Sequence, residues 1–313
     1  MQETTRLSRR GRRGGARENV TAEPSISVVL PCRNSAATIG QQLAALALQI
    51  WDRPWELIVV DNGSTDETRS VVESFREQIA DLRLVDAVDK MGSPHAYNAG
   101  IREARSELLA ICNDDDEADE GWLGAMARAL GEAELVTGRL EHDQLNEPWT
   151  VAVRGRPQEN GPLHWSFGTH LPFGACATLG VRRSLHERIG GFDEEMVPAG
   201  EDMDYCWRAQ YAGADLRFVA DAVTHYRFRN GARDLYRQGR NYGIGNVLVY
   251  RKHRPLGLPP VPNPARTGAR AWLGILKQGL LFPSRIHRGR FLWHLGWRSG
   301  MLQGSLRHRV ALF

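Results

Sequence analysis

The sequence predicts an α/β fold in which a mostly parallel central sheet is flanked by helices. Short apolar runs rich in β-branched residues alternate with segments of helical periodicity between residues 25 and 112. Strands separated by single helices form parallel βαβ units with right-handed crossovers. Polar or acidic residues follow three of these runs, which is typical of a ligand site beyond the carboxyl ends of parallel strands.

Four strands and three helices account for this part of the chain. We predict strands at residues 25–31, 56–61, 82–85 and 108–112, and helices at residues 38–49, from residue 64 onward, and at 93–104. Ser64 is the predicted N-cap of the second helix, with Glu67 as its capping-box partner. The strand ends then place residues 31–34, 61–62 and 113–116 around one crevice.

The segment Asn-Asp-Asp-Asp at residues 113–116 is the most informative of these strand ends. Adjacent carboxylates repel one another unless a positive charge lies among them, and a divalent cation that bridges phosphates would supply it. An ordinary acidic loop is the alternative, and the segment alone does not decide between the two. No G-x-G-x-x-G motif follows the first strand and no G-x-x-x-x-G-K-[ST] motif occurs, which disfavours dinucleotide and P-loop sites.

Four motifs, in the right order and spacing, resemble those of family 2 glycosyltransferases. They are ISVVLPCRNSAATI at residues 26–39, ELIVVDNGSTDET at 56–68, AICNDDDEADEGWL at 110–123 and GGFDEEMVPAGEDMDYCWRAQYAG at 190–213. The resemblance covers about residues 25–229. It implies a GT-A fold, the Rossmann-like fold of nucleotide-diphospho-sugar transferases, here followed by a C-terminal helical extension.

The resemblance implies a donor-binding set and a metal site. The donor-binding residues would be Pro31, Cys32, Arg33, Asn34, Asp61, Asn98 and Asp114. Asp61 would accept hydrogen bonds from the base or ribose, although it could instead cap the following turn. Asn98 could equally be an ordinary polar residue of its helix.

The metal ligands implied by the resemblance are Asp115, Asp116 and His225. The family's usual first acid is Asn113 here, so the pattern departs slightly. Asp115 aligns with the metal-binding acid, while Asp114 and Asp116 form an alternative pair, and His225 could be structural. Mg²⁺ or Mn²⁺ would bridge a carboxylate to the diphosphate and stabilise the charge that develops on the leaving nucleotide.

The fourth motif supplies the catalytic and acceptor-side residues of the resemblance. Asp202 would be the general base of an inverting transfer, removing the proton from the attacking hydroxyl. The alternative for Asp202 is an acidic helix N-terminus favoured by the helix dipole. The acceptor-side residues would be Gly174, Ala175, Glu201 and Trp207.

Charge divides the chain into three segments. Residues 1–22 are Arg-rich and nearly without apolar content, so we predict a disordered basic segment. Residues 23–234 would be the catalytic domain. Residues 235–313 contain 14 Lys or Arg and no acid, and we predict a basic, amphipathic helical extension joined through a stiff linker at 255–264.

The basic extension favours an anionic partner. Its Trp and Phe residues at helical spacing, without an apolar run of about 18–20 residues, fit a helix lying on an anionic membrane surface. A helical appendage packed on the catalytic domain is the alternative. No nucleic acid is expected because no recognised binding module accompanies the charge. Without a secretory signal, we expect a cytoplasmic protein, peripheral on the inner face of the plasma membrane.

The expected function is inverting transfer from a UDP-, GDP- or dTDP-sugar to a hydroxyl acceptor, with Mg²⁺ or Mn²⁺. The acceptor would be lipid-linked or part of the cell envelope, in polysaccharide or glycolipid synthesis. A nucleotidyltransferase is one alternative, but residues 31–35 lack its glycine-rich basic loop. A catalytically silent nucleotide-sugar-binding or scaffold protein is another, favoured only by Asn113. The four cysteines form no C-x-x-C pair, so reduced thiols are expected.

Overall fold

The computed structural model describes residues 23–261, 264–279 and 284–310. Its strands are β1 (Ser27–Cys32), β2 (Glu56–Asp61), β3 (Leu82–Asp86), β4 (Leu108–Cys112), β5 (Glu117–Ala118), β6 (Leu135–Glu141), β7 (Thr178–Arg182) and β8 (Leu216–His225). Its helices are α1 (Ile39–Ala47), α2 (Thr68–Glu73), α3 (Ser93–Glu103), α4 (Trp122–Glu132), α5 (Pro148–Arg154), α6 (Arg183–Arg188), α7 (Glu201–Tyr211), α8 (Ala232–His253), α9 (Pro264–Gly279) and α10 (Arg285–His308). The predicted disorder of residues 1–22 lies outside the described residues.

The strands form one sheet in the order β3-β2-β1-β4-β7-β6-β8-β5. The first four pair in parallel, as the βαβ pattern predicts, while β7 and β5 run antiparallel to their neighbours. Strands β1, β2 and β4 are almost wholly buried, because helices cover both of their faces. The register pairs Cys32 with Asp61, so β1 and β2 end at the same level of the sheet.

The predicted start of the second helix is wrong. Helix α2 begins at Thr68, and Ser64 lies in the preceding turn. Its hydroxyl accepts the Asn34 backbone N–H at 3.0 Å. The Asp66 carboxylate instead accepts the Thr68 backbone N–H at 3.1 Å, because a side chain two residues earlier reaches this donor better.

Helix α10 packs directly on the catalytic half, whereas the sequence predicts a stiff linker at residues 255–264 before the last helices. Helix α10 lies along α8 and also contacts α5, where Gly289 approaches Val153. Leu258 and Val261, inside the supposed linker, are buried. Within the described ranges, none of the helices combines the length and apolar character that crossing a bilayer requires.

Glycines set the close approach of α8 and α10. A side chain at Gly243 would collide with the Trp297 carbonyl oxygen, and one at Gly300 with the Arg240 carbonyl oxygen. The backbones can therefore come closer than ordinary side chains allow. This packing brings Trp293 and Trp297 of α10 next to α8.

Candidate active site

The ends of β1 and β4 open into a crevice of about 390 Å³, which we call the strand-end crevice. Of the residues predicted from the sequence, those that line it are Pro31, Cys32, Arg33, Asp114, Asp115 and Glu201. Parallel topology explains the convergence, since the carboxyl ends of neighbouring parallel strands meet at one edge of the sheet.

The sequence analysis did not predict one wall of the crevice. Ser93, Ala96 and Tyr97 from the first turns of α3 line it, and Arg229 lines it from the segment after β8. The feature of the sequence that could have indicated this wall is Gly92, which comes just before α3. The start of a helix at a strand-end crevice presents free backbone N–H groups that favour an anion such as a phosphate.

Two neighbouring carboxylates face the crevice. Asp114 accepts the Arg33 backbone N–H at 3.3 Å, and Asp115 forms an ion pair with Arg229 at 2.6 Å. Burial, together with the adjacent Asp115 carboxylate, raises the pKa of Asp114 to about 6. This arrangement favours additional positive charge at the site.

Asp116 points away from the crevice into the protein. Its carboxylate accepts the Arg227 backbone N–H at 2.8 Å and the Asn113 amide at 3.0 Å. Burial and the neighbouring Asp115 raise its pKa well above the ordinary value. The structure therefore presents Asp114 and Asp115 to a ligand, rather than the alternative pair Asp114 and Asp116.

The carboxylates of Asp114 and Asp115 fit a magnesium or manganese ion that is shared with a substrate. Within residues 23–261, 264–279 and 284–310, no cluster of three or more His, Cys, Asp or Glu side chains is placed to hold a metal. Mg²⁺, however, is usually bound by one or two carboxylates together with substrate phosphates and water. Burial, together with the adjacent Asp115 carboxylate, opposes ionisation of Asp114, so a cation bound between them would stabilise the ionised form.

His225 lies in a different cavity. It ends β8 opposite Glu117 of β5, and its Nδ1 lies 2.9 Å from the Glu141 carboxylate. The cavity that it lines also contains Asp119 but none of residues 113–116. The structure therefore does not bring His225 to the carboxylates of the strand-end crevice.

The hydrogen bonds of Asp61 are those of a structural residue. One carboxylate oxygen accepts the Ser64 backbone N–H at 2.9 Å, and the other pairs with Arg69 at 2.8 Å. Burial opposes ionisation of Asp61, but these partners outweigh it and lower its pKa. The turn-capping alternative describes its position in the structure.

Asn98 and Asn34 also make structural contacts. Asn98 donates to the Phe192 carbonyl oxygen at 2.9 Å and accepts the Phe192 N–H at 2.8 Å, which fixes the turn after α6. Asn34 accepts the Thr65 backbone N–H at 2.8 Å and so joins the loops after β1 and β2. Neither side chain lines the strand-end crevice.

Helix α7 presents Glu201 and Asp202 from its first turn. Gly200 precedes them with a positive φ of 97°, a conformation that favours glycine and turns the chain sharply into the helix. Burial raises the pKa of Asp202, and burial together with the adjacent Asp202 carboxylate raises the pKa of Glu201. The Glu201 carboxylate accepts the Ser93 hydroxyl at 3.0 Å, which ties α7 to α3.

Asp202 lines a second cavity of about 460 Å³, which we call the aromatic cavity. Its aromatic wall consists of Phe173, Tyr226, Phe228, Tyr242, Trp293 and Trp297. Glu201 lines both the aromatic cavity and the strand-end crevice, so the two spaces meet at this residue. Sequence reasoning missed this wall; its signal was the helical i, i+4 spacing of Trp293 and Trp297.

Two of the predicted acceptor-side residues, Ala175 and Glu201, line the cavity, and Gly174 and Trp207 do not. Gly174 packs against Thr137, where a side chain would collide. Trp207 is fully buried, and its indole N–H donates to the Leu171 carbonyl oxygen at 2.8 Å. A direct contact of Trp207 with an acceptor is therefore excluded in this structure, because α7 turns it toward the core.

Sequence comparison identifies one family over most of this region. The family profile described as Glycosyl transferase family 2 matches residues 27–190, and that of Glycosyl transferase family group 2 matches residues 163–309. Glycosyltransferase AglE of Haloferax volcanii is 28% identical over 230 residues, which cover 72% of this chain and 74% of AglE. Probable glycosyltransferase YdaM of Bacillus subtilis is 25% identical over 249 residues, covering 75% of this chain and 58% of YdaM.

Solved structures show the same architecture. Mannosyltransferase PcManGT from Pyrobaculum calidifontis, in complex with GDP-Man and Mn²⁺, aligns with a TM-score of 0.57 at 20% identity. That alignment covers 92% of this chain and 76% of PcManGT. TarS of S. aureus in complex with UDP aligns with a TM-score of 0.51 at 18% identity, covering 91% of each chain.

Proposed function

Because the chain belongs to glycosyl transferase family 2 and has the GT-A fold, we propose that it transfers a sugar from a nucleotide diphosphate to a hydroxyl acceptor, with inversion. One observation carries the proposal. A crevice with two carboxylates and a cavity with a half-buried aspartate meet at Glu201, so a donor in the crevice would lie beside an acceptor in the cavity. Family membership argues against the nucleotidyltransferase alternative.

The strand-end crevice would hold the donor. Asp114 and Asp115 would hold Mg²⁺ or Mn²⁺, which when bound supplies positive charge to the diphosphate. Arg229, already beside Asp115, would add a fixed positive charge, and the start of α3 would add backbone N–H donors. The Mn²⁺ and GDP-Man of PcManGT and the UDP of TarS support a metal and a nucleotide sugar as ligands of such a site.

Asp202 would be the general base. Its carboxylate would accept the proton of the acceptor hydroxyl as that oxygen bonds to the anomeric carbon of the sugar. The bond from the anomeric carbon to the nucleotide diphosphate breaks on the opposite face, and the diphosphate leaves with the bonding electrons. Burial raises the pKa of Asp202, and a base whose pKa lies nearer the working pH accepts a proton more readily.

The surface of α9 supports peripheral binding to an anionic membrane. Leu273 and Leu276 are exposed one turn apart, with exposed Arg270 and Lys277 on either side of them. Since residues 235–313 contain no acid, this face combines apolar contact with positive charge. Such a position would bring the enzyme to lipid-linked or cell-envelope acceptors.

The donor site is tested by thermal shift with UDP, GDP, dTDP and CDP, each with and without Mn²⁺. We expect one nucleotide to raise the melting temperature in a metal-dependent manner, because binding only to the folded state stabilises it. Asp115→Ala should abolish the shift, since it removes a carboxylate from the crevice.

Asp221→Ala is the matched control, because this exposed aspartate of β8 lies outside the crevice. It should leave the shift unchanged. A shift that survives in Asp115→Ala would remove Asp115 from the donor site. The absence of a shift with any nucleotide would contradict the proposed function.

A further inference from the structure

The aromatic cavity contains an arginine whose flat faces are covered by aromatic rings. Arg154 ends α5, and its guanidinium carbon lies 3.5 Å from the centre of the Trp293 ring and 5.1 Å from that of Phe228. Both rings, like Arg154 itself, line the cavity. Stacked in this way, the guanidinium can donate hydrogen bonds only from its edge, which is the geometry that oxyanions accept.

Arg154 has no carboxylate partner in the part of the chain that the structure describes. No Asp or Glu oxygen lies within 4.0 Å of it there, and its Nη1 donates instead to the Gln238 side-chain oxygen at 2.7 Å. Burial lowers the pKa of Arg154, yet an arginine keeps its charge in proteins. Arg154 is half-buried, and a partly desolvated charge without a counter-charge is costly, so the site favours a ligand that supplies one.

The acids of the cavity do not supply that counter-charge. Asp202 and Glu201 line the same cavity but form no ion pair with Arg154. Tyr242 lies within electrostatic reach of both groups: burial raises its pKa, Arg154 lowers it and Asp202 raises it. The cavity therefore holds a proton acceptor and a separate cation, with Tyr242 near both.

We propose that the acceptor carries an oxyanion, a phosphate or a carboxylate, which Arg154 binds while the reacting hydroxyl lies at Asp202. This proposal rests on the proposed function and names the acceptor class of that site. Trp293 and Phe228 would hold the guanidinium in plane, and the spare N–H groups of its edge would bind the anion in a bidentate manner. The same chemistry fits a soluble sugar acid or sugar phosphate and a lipid-linked sugar, whose sugar supplies the hydroxyl and whose carrier supplies the phosphate.

The test compares anionic probes with their neutral counterparts by calorimetry on the full chain. Glucose 1-phosphate and glucuronate are compared with glucose, and citronellyl phosphate with citronellol. We expect an anionic probe to bind at least about tenfold more tightly than its neutral counterpart, as charge-assisted hydrogen bonds require. Tight binding of the sugar probes indicates a soluble acceptor, and tight binding of citronellyl phosphate alone indicates a lipid phosphate.

The variants distinguish anion binding by Arg154 from a general effect of net charge. Arg154→Gln should remove the preference for the anion, and Arg154→Lys should retain part of it. Arg156→Gln changes the net charge equally, but Arg156 pairs with Asp143 and Glu159 at the surface, so this variant should bind like the wild type. Should Arg154→Gln fail to fold, the wild-type comparison and Arg154→Lys decide the question.

Equal binding of anionic and neutral probes, binding of none of them, or unchanged anion binding in folded Arg154→Gln would overturn this proposal. Nucleotide binding to the strand-end crevice is measured separately in the same samples. If the wild type binds the anionic probes but no nucleotide, the result counts against the proposed function. If it binds a nucleotide but none of the anionic probes, the result counts against the anionic acceptor alone.

Discussion

At the scale of single residues, the direction of a side chain decides its role. Asp114, Asp115 and Asp116 are consecutive, yet only the first two face the strand-end crevice, while the third accepts the Arg227 backbone N–H. Asp202 gains its position from Gly200, whose positive φ starts α7 at the junction of the two cavities. The chemistry proposed for this protein depends on these few orientations.

Asp202→Asn should lower the rate of sugar transfer by about 10²–10⁴-fold, the range typical of removing a general base. The amide is the same size but cannot accept the proton. Nucleotide binding measured by thermal shift should be retained, because Asp202 lines only the aromatic cavity. A transfer rate within threefold of wild type, on the order of experimental scatter, would exclude Asp202 as the base.

The pH dependence of kcat/KM should report the raised pKa of Asp202. A general base works when it is deprotonated, and burial raises the pKa of this carboxyl. Activity should therefore fall with decreasing pH earlier than it would with an ordinary aspartate, whose pKa is about 4. A profile that stays flat down to about pH 4 would contradict an aspartate with a raised pKa as the base.

At the scale of elements, the pairing of α8 and α10 builds the aromatic cavity. Tyr242 comes from α8, and Trp293 and Trp297 come from α10. Gly243 and Gly300 let the two backbones approach closely enough for these rings to share one space. The start of α7 is tied to α3 through Glu201 and Ser93, and Asp204 in its first turn binds His253 at the end of α8 at 2.9 Å.

Gly300→Ala should force α10 away from α8, because the new methyl group would collide with the Arg240 carbonyl oxygen. We expect a loss of about 1–3 kcal/mol in the free energy of unfolding, measured with denaturant, and weaker acceptor use. Gly131→Ala in α4 is the control, since nothing lies within 4 Å of the added methyl group. It should be neutral or stabilising by up to about 1 kcal/mol. Equal effects of the two substitutions would argue against close helix packing.

At the scale of the whole molecule, acidic and basic residues are concentrated in different parts of the chain. Residues 18–234 contain 36 acids and 20 Lys or Arg, whereas residues 235–313 contain 14 Lys or Arg and no acid. The exposed leucines of α9 belong to the basic part. This separation of charge is the basis for the proposed attachment to an anionic surface through α9.

Binding to vesicles should depend on both anionic lipid and α9. We expect sedimentation with phosphatidylglycerol vesicles, little with phosphatidylcholine vesicles, and weakening as salt rises. Leu276→Glu should reduce binding, because it places a negative charge on the exposed face of α9. Leu48→Glu is the control, since Leu48 is 65% exposed against 67% for Leu276 but follows α1. Equal loss in both variants would argue against a specific membrane face.

Much of the sheet and the strand-end crevice could be predicted, because the sequence patterns that indicate them are local. Apolar runs mark β1, β2 and β4, and parallel topology brings their ends together without further information. The ion pair of Asp61 with Arg69 could not be predicted, because the position of Arg69 depends on where α2 begins. The aromatic cavity was not predictable, because it needs α10 to dock on α8 far from Asp202 in sequence.

The place of α10 in the chain has a consequence for biosynthesis. Every residue that lines the strand-end crevice, the last being Arg229, is synthesised before the first residue of α10 emerges. A chain that stopped short of Arg285 would carry the whole lining of the crevice but would lack the Trp293 and Trp297 walls of the neighbouring cavity. Such a truncated chain would retain the proposed donor site but lack part of the proposed acceptor site.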